Sequence, residues 1–390
     1  MGIPEHSDIV IVGGGISGTA AAYELALRGF KPLLLERSEL AAMASGWTLG
    51  GVRQSGRHSA ELPLAKAAVN RWTNLSHELD ADVEYRQGGN LRLARNPSEA
   101  ERIVEVVDST RAAGISIEYL PDHTTVSRLA PALSGSIYSG SYCPTDGHAN
   151  PTSTVQAYAR AAASLGAAIA TNVEVLGIEV LAGRVCGVTT RDGGLSCDRL
   201  IVAAGVFTAE LLSPLGLSVP LSIRMVPVFQ TVIVEPFLEP VLGVATGDLA
   251  ARQEVNGCLR LSGGGQNWEP GLCSLRDSAE SVQPTPGDLT EVTARAIQLL
   301  PRFETMRIRR VWGGLVDQTP DGLPVYSAST GVHGLVVAAG FSGHGFGIGP
   351  VSGEILADLV VDETTDYPIH DFTFDRFEAV VGANTSELHG

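Results

Sequence analysis

The chain has 390 residues, 44% of them hydrophobic and 18% charged, which is enough apolar material for two globular domains or one large composite unit. A formal net charge of −16 argues against nucleic acids and anionic membrane surfaces as partners, since both favour cationic patches. Five scattered cysteines without a Cys-x-x-Cys pair argue against a disulfide framework and a structural zinc site. Residues 1–7 hold no basic segment, and the apolar run at 9–12 is too short for a signal sequence or a membrane span. We therefore expect a cytoplasmic protein without a membrane span.

The hydrophobic pattern predicts strands and helices that alternate along much of the chain. A strand at residues 8–12 is followed by a glycine-rich turn at 13–18 and a helix at 19–28. The same order of strand, turn and helix returns in the middle and at the end of the chain. Continuous apolar strands in such units are typical of a parallel sheet that is covered on both faces. The other predicted elements are a strand at 32–35, helices at 60–79, 97–113 and 151–166, a strand at 199–202 with a helix through 212, strands within 219–265, a helix at 284–300, and a strand at 334–338 with a helix at 350–360.

The turn from Gly13 to Gly18 matches the Gly-x-Gly-x-x-Gly pattern of dinucleotide-binding proteins. Its position between a strand and a helix supports the match, as does Glu36 at the end of the next strand. In this pattern Gly13 permits the tight turn, Gly15 lets the backbone approach a pyrophosphate, and Gly18 lets the helix pack on the strand. The N–H groups at the helix start favour phosphates, and the Glu36 carboxylate can accept hydrogen bonds from a ribose hydroxyl. The pattern alone leaves NAD and FAD open.

A second glycine-rich loop, at residues 340–347, precedes the last predicted helix. A helix amino terminus at this place would stabilise the negative charge that reduction puts on a flavin ring. An NAD enzyme has no such need, so the loop favours FAD. The alternative to a flavin-binding loop is a glycine-rich connection between strand and helix that serves only the backbone geometry.

Further motifs accompany these two loops along the chain. With them, the chain resembles the D-amino-acid oxidase-like family of flavoproteins, and within it the branch of sarcosine oxidases and dye-linked proline or hydroxyproline dehydrogenases. The resemblance spans nearly the whole chain. It implies an enzyme that oxidises primary or secondary amines, commonly amino acids, to imines. The motifs that carry it, besides the fingerprint, are at residues 36–37, 44–46, 50–53, 146–151, 202–205, 312–314, 319–324 and 337–346.

The resemblance also implies a cofactor site assembled from distant parts of the sequence. Val173 would lie near the adenine, while Gly313 and Gly314 would edge the flavin ring. The predicted FAD-binding residues are Gly13, Gly15, Ile16, Ser17, Gly18, Glu36, Arg37, Ala44, Ser45, Gly46, Gly50, Gly51, Val173, Ala204, Gly205, Gly313, Gly314, Gly340, Gly343, His344, Gly345 and Phe346.

The pattern and the motifs together predict an α/β (α+β) fold of two domains. A Rossmann-like FAD-binding domain would be assembled from the discontinuous residues 1–45, 150–214 and 311–390. Residues 46–149 and 215–310 would form a substrate-binding domain with a mainly antiparallel sheet.

Departures from the family's pattern narrow these expectations. Relatives with covalent flavin use a cysteine or a histidine where this chain has Gly314 and Trp47-Thr48, so we predict non-covalent FAD. The glycine oxidase and D-amino-acid oxidase branch binds the substrate carboxylate through an arginine where this chain has Val316. Monomeric sarcosine oxidases promote the reaction with oxygen through a lysine above the flavin, and neither Lys31 nor Lys66 suits that place. An electron acceptor other than oxygen therefore gains support.

Arginine suits bidentate binding of a substrate carboxylate, and Arg53 is the first candidate. It follows the Gly50-Gly51 turn, where it can face either the substrate or the cofactor. Arg57 and His58 can equally belong to a solvated loop, and His148 and His344 can be structural. Trp312 can belong to the core or to the pocket wall. The histidines lack metal-ligand spacing, so we expect no metal. The predicted catalytic residues are Arg53 and His344, and the predicted substrate-binding residues are Thr48, Arg53, Arg57, His58 and His148.

These observations support one leading hypothesis and two alternatives. The leading hypothesis is an FAD-dependent dehydrogenase or oxidase that transfers a hydride to flavin N5 from the CH–NH group of a small amino acid or secondary amine, of the sarcosine, proline or D-amino-acid type. The first alternative is an FAD-dependent dehydrogenase of a hydroxy acid, since a fold does not fix a function. The second is a flavin subunit of a hetero-oligomeric dehydrogenase, whose electrons leave through an acceptor partner or second subunit.

Overall fold

The structure is a computed structural model that describes residues 4–268, 282–328 and 330–377. Cys273 lies outside the described residues, and the other four cysteines are free thiols. The β-strands are β1 (His6–Val12), β2 (Leu33–Leu35), β3 (Gly51–Val52), β4 (Asn90–Ala94), β5 (Glu118–Leu120), β6 (Ser139–Cys143), β7 (Gly147–His148), β8 (Ala168–Ala170), β9 (Val175–Leu181), β10 (Arg184–Thr190), β11 (Gly193–Val202), β12 (Ser222–Ile233), β13 (Val241–Val244), β14 (Ala250–Gln253), β15 (Cys258–Ser262), β16 (Gln266–Asn267), β17 (Ile308–Gln318), β18 (Val325–Ser327) and β19 (Leu335–Ala339).

The α-helices vary from single turns to five turns in length. No helix of the described ranges combines the length and the apolarity needed to cross a bilayer. The helices are α1 (Ile16–Leu27), α2 (Ala44–Trp47), α3 (Leu62–Trp72), α4 (Leu75–Glu78), α5 (Pro97–Ala112), α6 (His123–Leu129), α7 (Pro151–Ser164), α8 (Thr208–Leu212), α9 (Pro286–Leu299) and α10 (Gly345–Asp362).

The first sheet is mainly parallel and has the strand order β18-β19-β11-β1-β2-β8. β1 lies between β11 and β2 and is parallel to both. Alternate residues of β1 enter two different cores: Ile9 and Ile11 pack with α1, α7 and α10, whereas Val10 and Val12 pack towards β9, β10 and α8. Because both faces are covered, the strands read as continuous apolar runs. The strands predicted at 8–12, 32–35, 199–202 and 334–338 correspond to β1, β2, β11 and β19.

The helices on one face of this sheet approach one another very closely. On α10, a Cβ atom built at Gly349 would lie 2.3 Å from Ile16, and one built at Gly353 would lie 2.5 Å from Ala20. At Gly353 the neighbouring atoms include the backbone of Ala20, so only glycine permits the two helices to lie this close there. The first turn of α1 therefore lies beside α10, although more than 300 residues separate them in the sequence.

The second sheet has the order β16-β12-β15-β14-β13-β4-β6-β5, and β17 pairs with β12. β4 and β13 are parallel, and the other pairs, including the long β12–β17 pair, are antiparallel. Side chains alternate between the two faces of a strand. On β4, Leu91 and Leu93 accordingly join the core of this sheet, while Asn90 and Arg92 face a cavity.

Two helix predictions need correction. The predicted helix at 60–79 is divided into α3 and α4, because the Thr73 hydroxyl donates to the Asn70 carbonyl and Asn74 begins a new turn. The last helix begins at Gly345 instead of Pro350, so Pro350 lies inside α10. A proline at this depth costs one intrahelical hydrogen bond.

The fold class is α/β as predicted, with a Rossmann-like parallel sheet and a second, mainly antiparallel sheet. The division of the chain into two domains stays a prediction. We propose to move one boundary from residue 311 to the end of β17, because all of β17 belongs to the second sheet by its pairing with β12.

Candidate functional site

A cavity of about 370 Å³ is lined by residues of both sheets and of the segments between them. One part of its wall, which we call the fingerprint region, comprises residues 13–17 together with Glu36, Arg37 and Val173. Another part contains Arg53, Arg57 and Arg92, which we call the arginine cluster. The N-terminal residues of α10 belong to the same wall. The topology thus brings to one cavity the motifs that are scattered along the sequence.

The fingerprint region has the backbone geometry that its glycines permit. Gly13 has a φ of +116°, and a Cβ atom built on it would lie 2.2 Å from the Ala203 carbonyl oxygen. A Cβ atom on Gly18 would lie 2.0 Å from the Gly13 carbonyl oxygen. Gly18 therefore lies behind the turn and outside the cavity wall, where it allows α1 to pack against β1.

The Glu36 carboxylate is held in a fixed orientation at the end of β2. It accepts hydrogen bonds from the backbone N–H groups of Gly14, at 2.7 Å, and Ser38, at 2.8 Å. The Glu36 carbonyl in turn accepts the N–H of Val173 at 2.8 Å. Next to it, the Arg37 guanidinium lies 4.2 Å from the centre of the Phe207 ring. A carboxylate oriented in this way, with lone pairs left over, is suited to the hydroxyls of a ribose.

Helix α2 brings Ala44 and Ser45 into the wall beside the fingerprint. The Ser45 hydroxyl oxygen accepts the N–H of Ile16, the first residue of α1, at 2.9 Å. Gly46 does not line the cavity. It packs against the backbone instead, since a Cβ atom on it would lie 2.1 Å from the Ala41 carbonyl oxygen. Trp312 fixes the end of α2 through a hydrogen bond from Nε1 to the Trp47 carbonyl, at 3.2 Å. Of the two roles left open for Trp312, the structure favours the core, since the residue is buried and does not line the cavity.

The loop before α10 turns sharply into the cavity. Gly340, Ser342 and Gly343 all have positive φ values, of 65°, 50° and 86°. Asp317, at the end of β17, accepts the Gly340 N–H at 2.7 Å through its carboxylate. Burial raises the pKa of Asp317 to about 6, and the backbone N–H donors of the loop oppose this shift.

The remaining predicted cofactor residues divide between the wall and its support. Gly340, Gly50 and Gly313 lie behind the wall: Cβ atoms on them would lie 2.3 Å from Thr319, 2.5 Å from the Ala149 carbonyl oxygen and 2.9 Å from Val282, respectively. The residues in the wall are Gly51, Ala204, Gly205, Gly314, Gly343, His344, Gly345 and Phe346.

These residues fit an FAD molecule. The glycine turn at 13–15 lines the cavity, and the α1 amino terminus and the Glu36 carboxylate flank it. The same cavity continues to the α10 amino terminus. Among the described residues of the wall there is no cysteine, and His344 is the one histidine.

The arginine cluster is buried. The exposed fraction is 7% for Arg53, 9% for Arg57 and 8% for Arg92. The Nη1 atoms of Arg53 and Arg57 have no hydrogen-bond partner. Burial lowers the pKa of all three guanidinium groups, and Arg92 and Arg57 lower that of Arg53 further. A buried donor without an acceptor is costly, so this part of the wall is suited to an anion.

Two carboxylates lie next to the cluster. The oxygens of Asp146 accept hydrogen bonds from the backbone of Gln54 and from Ser55, which holds the segment that carries Arg53 in place. Glu61 is fully buried, and its Oε2 lies 3.3 Å from Nδ1 of His344. Burial alone would raise the pKa of Glu61, but His344 and Arg57 together hold it at about 2. The pKa of His344 is lowered by burial and then by Arg57. We therefore expect an ionised Glu61 beside a neutral His344.

The other predicted substrate-binding residues are less closely connected to the cavity. Thr48 lies in the wall. His58 is exposed and accepts the Ala60 N–H at 3.2 Å, outside the wall. His148 is buried behind the wall, with Nδ1 2.9 Å from Arg252, and burial followed by Arg252 lowers its pKa to about 3. Arg252 also donates to the Leu49 carbonyl, so the pair supports the wall from behind.

Sequence reasoning missed Arg92, Glu61 and Asp317. The alternation of β4 contains a signal for Arg92, since a charged residue between two leucines must face away from the leucine core. No comparable signal marks Glu61, because an acidic residue before a helix is ordinary. Asp317 stands directly after Val316, which itself lines the cavity.

Comparisons with known proteins identify the family of the chain. Residues 8–359 match the family described as DAO, FAD dependent oxidoreductase. A glycine oxidase of Bacillus licheniformis is 28% identical over 96% of this chain and 98% of its own length. The beta subunit of sarcosine oxidase from Rhizobium meliloti (strain 1021) is 26% identical over 96% of this chain and 89% of its own. The crystal structure of L-proline dehydrogenase from P. horikoshii superposes with a TM-score of 0.88 at 26% identity, covering 96% of this chain and 99% of the other.

The family match extends over most of the sequence and includes the glycine fingerprint, the arginine cluster and the loop before α10. It confirms the resemblance and the FAD cofactor that the motifs predicted. The chain belongs to the DAO family and is an FAD-dependent oxidoreductase.

Proposed function

We propose that the protein oxidises the CH–NH bond of a small amino acid or secondary amine to an imine, with Arg53 as the ligand of the substrate carboxylate. The names of its relatives support an amine substrate, since glycine, sarcosine and L-proline each carry an amine beside a carboxylate. When bound, FAD supplies the hydride acceptor at N5.

The Arg53 guanidinium is the observation on which this proposal rests. It is buried in the cavity wall, and its Nη1 has no hydrogen-bond partner. Val316 occupies the place where the D-amino-acid oxidase branch has its carboxylate-binding arginine, so this task falls to another residue. A bidentate contact with Arg53 would orient the amine and its Cα–H in one direction, and such positioning is a large part of catalysis.

We assign FAD to the predicted residues that line the wall. The fingerprint region would hold the ADP part, and the α10 amino terminus with Gly343, Gly345 and Phe346 would meet the flavin. We infer non-covalent attachment, because none of the wall residues that the structure describes is a cysteine and the one histidine among them faces Glu61. Acid precipitation of the protein is expected to leave all the flavin in the supernatant, and flavin in the pellet would contradict this assignment.

His344 would assist the reaction as a neutral imidazole. Most of the substrate amine is protonated at neutral pH, and it must lose this proton before a hydride can leave. The lowered pKa of His344 keeps the ring able to accept a proton, while ionised Glu61 favours the tautomer with the proton on Nδ1. We expect His344→Asn to change the acidic limb of the pH profile of flavin reduction more than the affinity for substrate.

The test of the function is anaerobic bleaching of the flavin absorbance by D- and L-amino acids, N-methyl amino acids, prolines and hydroxy acids. We expect amines to bleach it, and we expect Arg53→Gln to reduce the bleaching efficiency about 10³-fold through loss of a buried charge pair. Arg128→Gln, at an exposed position on α6, is the control. Bleaching by hydroxy acids alone would refute the proposal. Admission of air then separates an oxidase, which regains colour at once, from a dehydrogenase, which stays bleached.

A second candidate is a flavin subunit that passes electrons to a partner chain. Two relatives favour it, since one is named as the beta subunit of a sarcosine oxidase and another as a subunit of an opine oxidase. Expression with the neighbouring genes and affinity purification of the tagged chain would test it. A co-purifying chain that restores reoxidation of the bleached flavin supports this candidate, and full turnover by the isolated chain contradicts it.

A further inference from the structure

One face of the second sheet forms part of the cavity wall, and its middle strands present small residues there. Paired residues of neighbouring strands lie on the same face of a sheet. Along one such row, Gly243 of β13 pairs with Ala250 of β14, and Ala250 pairs with Ser262 of β15. All three residues line the cavity, and we call them the small-residue strip.

The core on the other side of the sheet fixes the orientation of the small-residue strip. Leu242, Ala251 and Leu261 are the sequence neighbours of its residues on the same three strands, and all of them belong to the apolar core of the second sheet. Because side chains alternate between the faces of a strand, the strip faces the cavity. Across the sheet it covers two strand spacings, or roughly 10 Å.

The two ends of the small-residue strip differ in chemistry. At its β13 end it pairs with Arg92 of β4. Arg53 lies close to Arg92, since Nη1 of each residue is 3.5 Å from the point where a Cβ atom of Gly56 would stand. Arg53 is buried and its Nη1 has no partner among the described residues, so an anion is expected near this end. At its β15 end the strip pairs with Val228, which also lines the cavity.

Neither the backbone nor the packing of the described residues requires a glycine at position 243. Gly243 is buried inside β13, and its φ is not positive. No atom of the described residues lies within 4 Å of a Cβ atom built on it. A glycine inside a strand weakens that strand, and it often marks a place where a ligand approaches closely. We therefore expect a ligand group to lie directly against the backbone of β13.

The residues that we assign to FAD lie on other parts of the wall. They come from the fingerprint region, α2, Gly51, residues 204–205, Gly314 and the α10 amino terminus, and none belongs to β13, β14 or β15. The space in front of the small-residue strip is therefore left to the substrate. Val226 and Val228 continue this wall on β12, so the space suits an uncharged group. Burial of apolar surface there is favourable, whereas a charge would lose its hydration.

We infer that the small-residue strip binds a bulky uncharged substituent of the substrate, and that Gly243 is the specificity-determining residue. With its carboxylate on Arg53, the substrate would carry an aromatic or branched aliphatic group, either on the carbon or on the nitrogen of the CH–NH bond. The inference rests on the proposed amine oxidation for turnover and narrows its substrate class, but the binding of the substituent is measurable without turnover.

The binding experiment uses the holoenzyme and three carboxylates that lack an amine. Propionate is small, 3-phenylpropionate adds a bulky uncharged group, and succinate adds a second charge. Affinities come from isothermal titration calorimetry and from perturbation of the flavin absorbance. We expect 3-phenylpropionate to bind at least about tenfold more tightly than propionate, the factor for burying an aromatic side chain at the low end of its range. Tighter binding of succinate than of 3-phenylpropionate would contradict the inference.

Substitutions assign the preference to the small-residue strip. Gly243→Leu places a side chain in front of β13, so the ratio of 3-phenylpropionate to propionate affinity should fall to within about threefold of unity. Gly243→Ala adds a single carbon atom and should give an intermediate ratio, which decides the matter if Gly243→Leu does not fold. Gly177→Leu on β9, where a Cβ atom also meets no described atom within 4 Å, should leave the ratio unchanged. An unchanged ratio in both Gly243 variants would show that the phenyl group binds elsewhere.

Titration of the apoproteins with FAD is the second readout. We expect Gly243→Leu to weaken FAD binding by less than about threefold. If FAD affinity fell by as much as the ligand ratio, the strip would belong to the flavin site and the inference would be wrong.

Turnover then locates the substituent on the substrate. Phenylalanine against alanine tests a group on carbon, and N-benzylglycine against sarcosine tests a group on nitrogen, with anaerobic flavin bleaching as the readout. We expect the bulky member of at least one pair to exceed its small partner by about tenfold or more in kcat/KM. Preference for the small member in both pairs would contradict this expectation.

The outcomes separate the two proposals. If 3-phenylpropionate binds no more tightly than propionate, the small-residue strip is not a substituent site, whatever amines bleach the flavin. If the preference is present and Gly243→Leu removes it, the site stands, even where no amine is oxidised and the proposed function fails.

Discussion

Around the fingerprint region the cavity wall is made of backbone, whereas around the arginine cluster it is made of buried charged side chains. In the first region the turn of residues 13–15 forms the wall, and Glu36 is held by two amides. In the second, Arg53, Arg57 and Arg92 are held among Glu61 and Asp146. The difference teaches that one cavity wall can combine two kinds of surface, and under the proposed function each would bind its ligand through a different interaction. Steric fit governs the fingerprint region and should vary little with pH, while charge balance governs the arginine cluster.

The strongest test of this contrast is the substitution Glu61→Gln. It removes a buried charge that faces His344 and lies close to Arg57, so the free energy of unfolding should fall by about 3 kcal/mol at pH 7. Glu61 has a folded pKa of about 2, below its usual value of 4.5, so its stabilisation is present above pH 4.5 and is lost as the pH falls towards 2. The loss in Glu61→Gln should shrink accordingly in acid. Urea unfolding at several pH values measures it, and Glu101→Gln at an exposed position of α5 is the control. Equal stability of the two variants would contradict a charge-governed region.

Asp317, where β17 meets the loop before α10, should show the opposite pH dependence. Its folded pKa of about 6 lies above the usual 3.8, so the folded protein holds this proton more tightly than the unfolded chain does. Stability therefore falls as the pH rises from about 4 to about 6, by about 3 kcal/mol for this group. Asp317→Asn keeps an acceptor for the Gly340 N–H and should remove that decrease. The difference between the unfolding free energies of wild type and variant, measured from pH 4 to 8, reports it. A pH-independent difference would show that Asp317 does not titrate in this range.

Gly15→Ala should affect the fingerprint region through steric exclusion. A Cβ atom there would lie 2.9 Å from Oγ of Ser45, a contact that a small movement relieves, so the protein should fold. The same atom would stand where a pyrophosphate approaches, so we expect FAD affinity to fall about tenfold or more at every pH. Gly177→Ala on β9, where nothing lies within 4 Å, is the matched control. Fluorescence titration of apoprotein with FAD measures both. A loss that vanished in acid or base would place charge effects in this region as well.

Trp312→Phe is the mildest test and concerns the support of the wall. It removes the donor to the Trp47 carbonyl, which should cost about 1 kcal/mol of unfolding free energy. Tyr23→Phe removes a comparable hydrogen bond, from its hydroxyl to the Glu78 carbonyl, away from the wall. Trp312→Phe also reduces a buried ring that lies beside Arg260 and Arg310, so it should lose more stability than Tyr23→Phe, and it alone should weaken FAD binding. If Tyr23→Phe weakened it equally, the effect would be one of global stability.

The sequence predicts the fingerprint region far better than the arginine cluster. Gly13, Gly15 and Glu36 act through local backbone geometry, which a short motif encodes directly. Arg92 reaches the cavity only because β4 pairs with β13 and β6, and no short pattern encodes that pairing. The sequence also does not show which histidines reach the cavity. His148 is buried behind the wall and contacts Arg252, while His58 is exposed and lies outside the wall. The apolar strands predicted the fold class correctly. The start of α10 was predicted wrongly, because a proline is typical of the first turn of a helix, whereas Pro350 lies inside α10.

The close packing of α1 against α10 has a consequence for biosynthesis. β1 needs β11 as its neighbour, and α1 needs Gly349 and Gly353 to complete its packing. The apolar surface of β1 and α1 is therefore covered only after α10 has been synthesised, more than 300 residues later in the sequence. Contacts of such sequence separation fold slowly, and the exposed segment is a natural client for chaperones in the meantime. The cavity that the fingerprint region shares with α10 is completed only at that point, so FAD should enter after synthesis of the chain has passed α10.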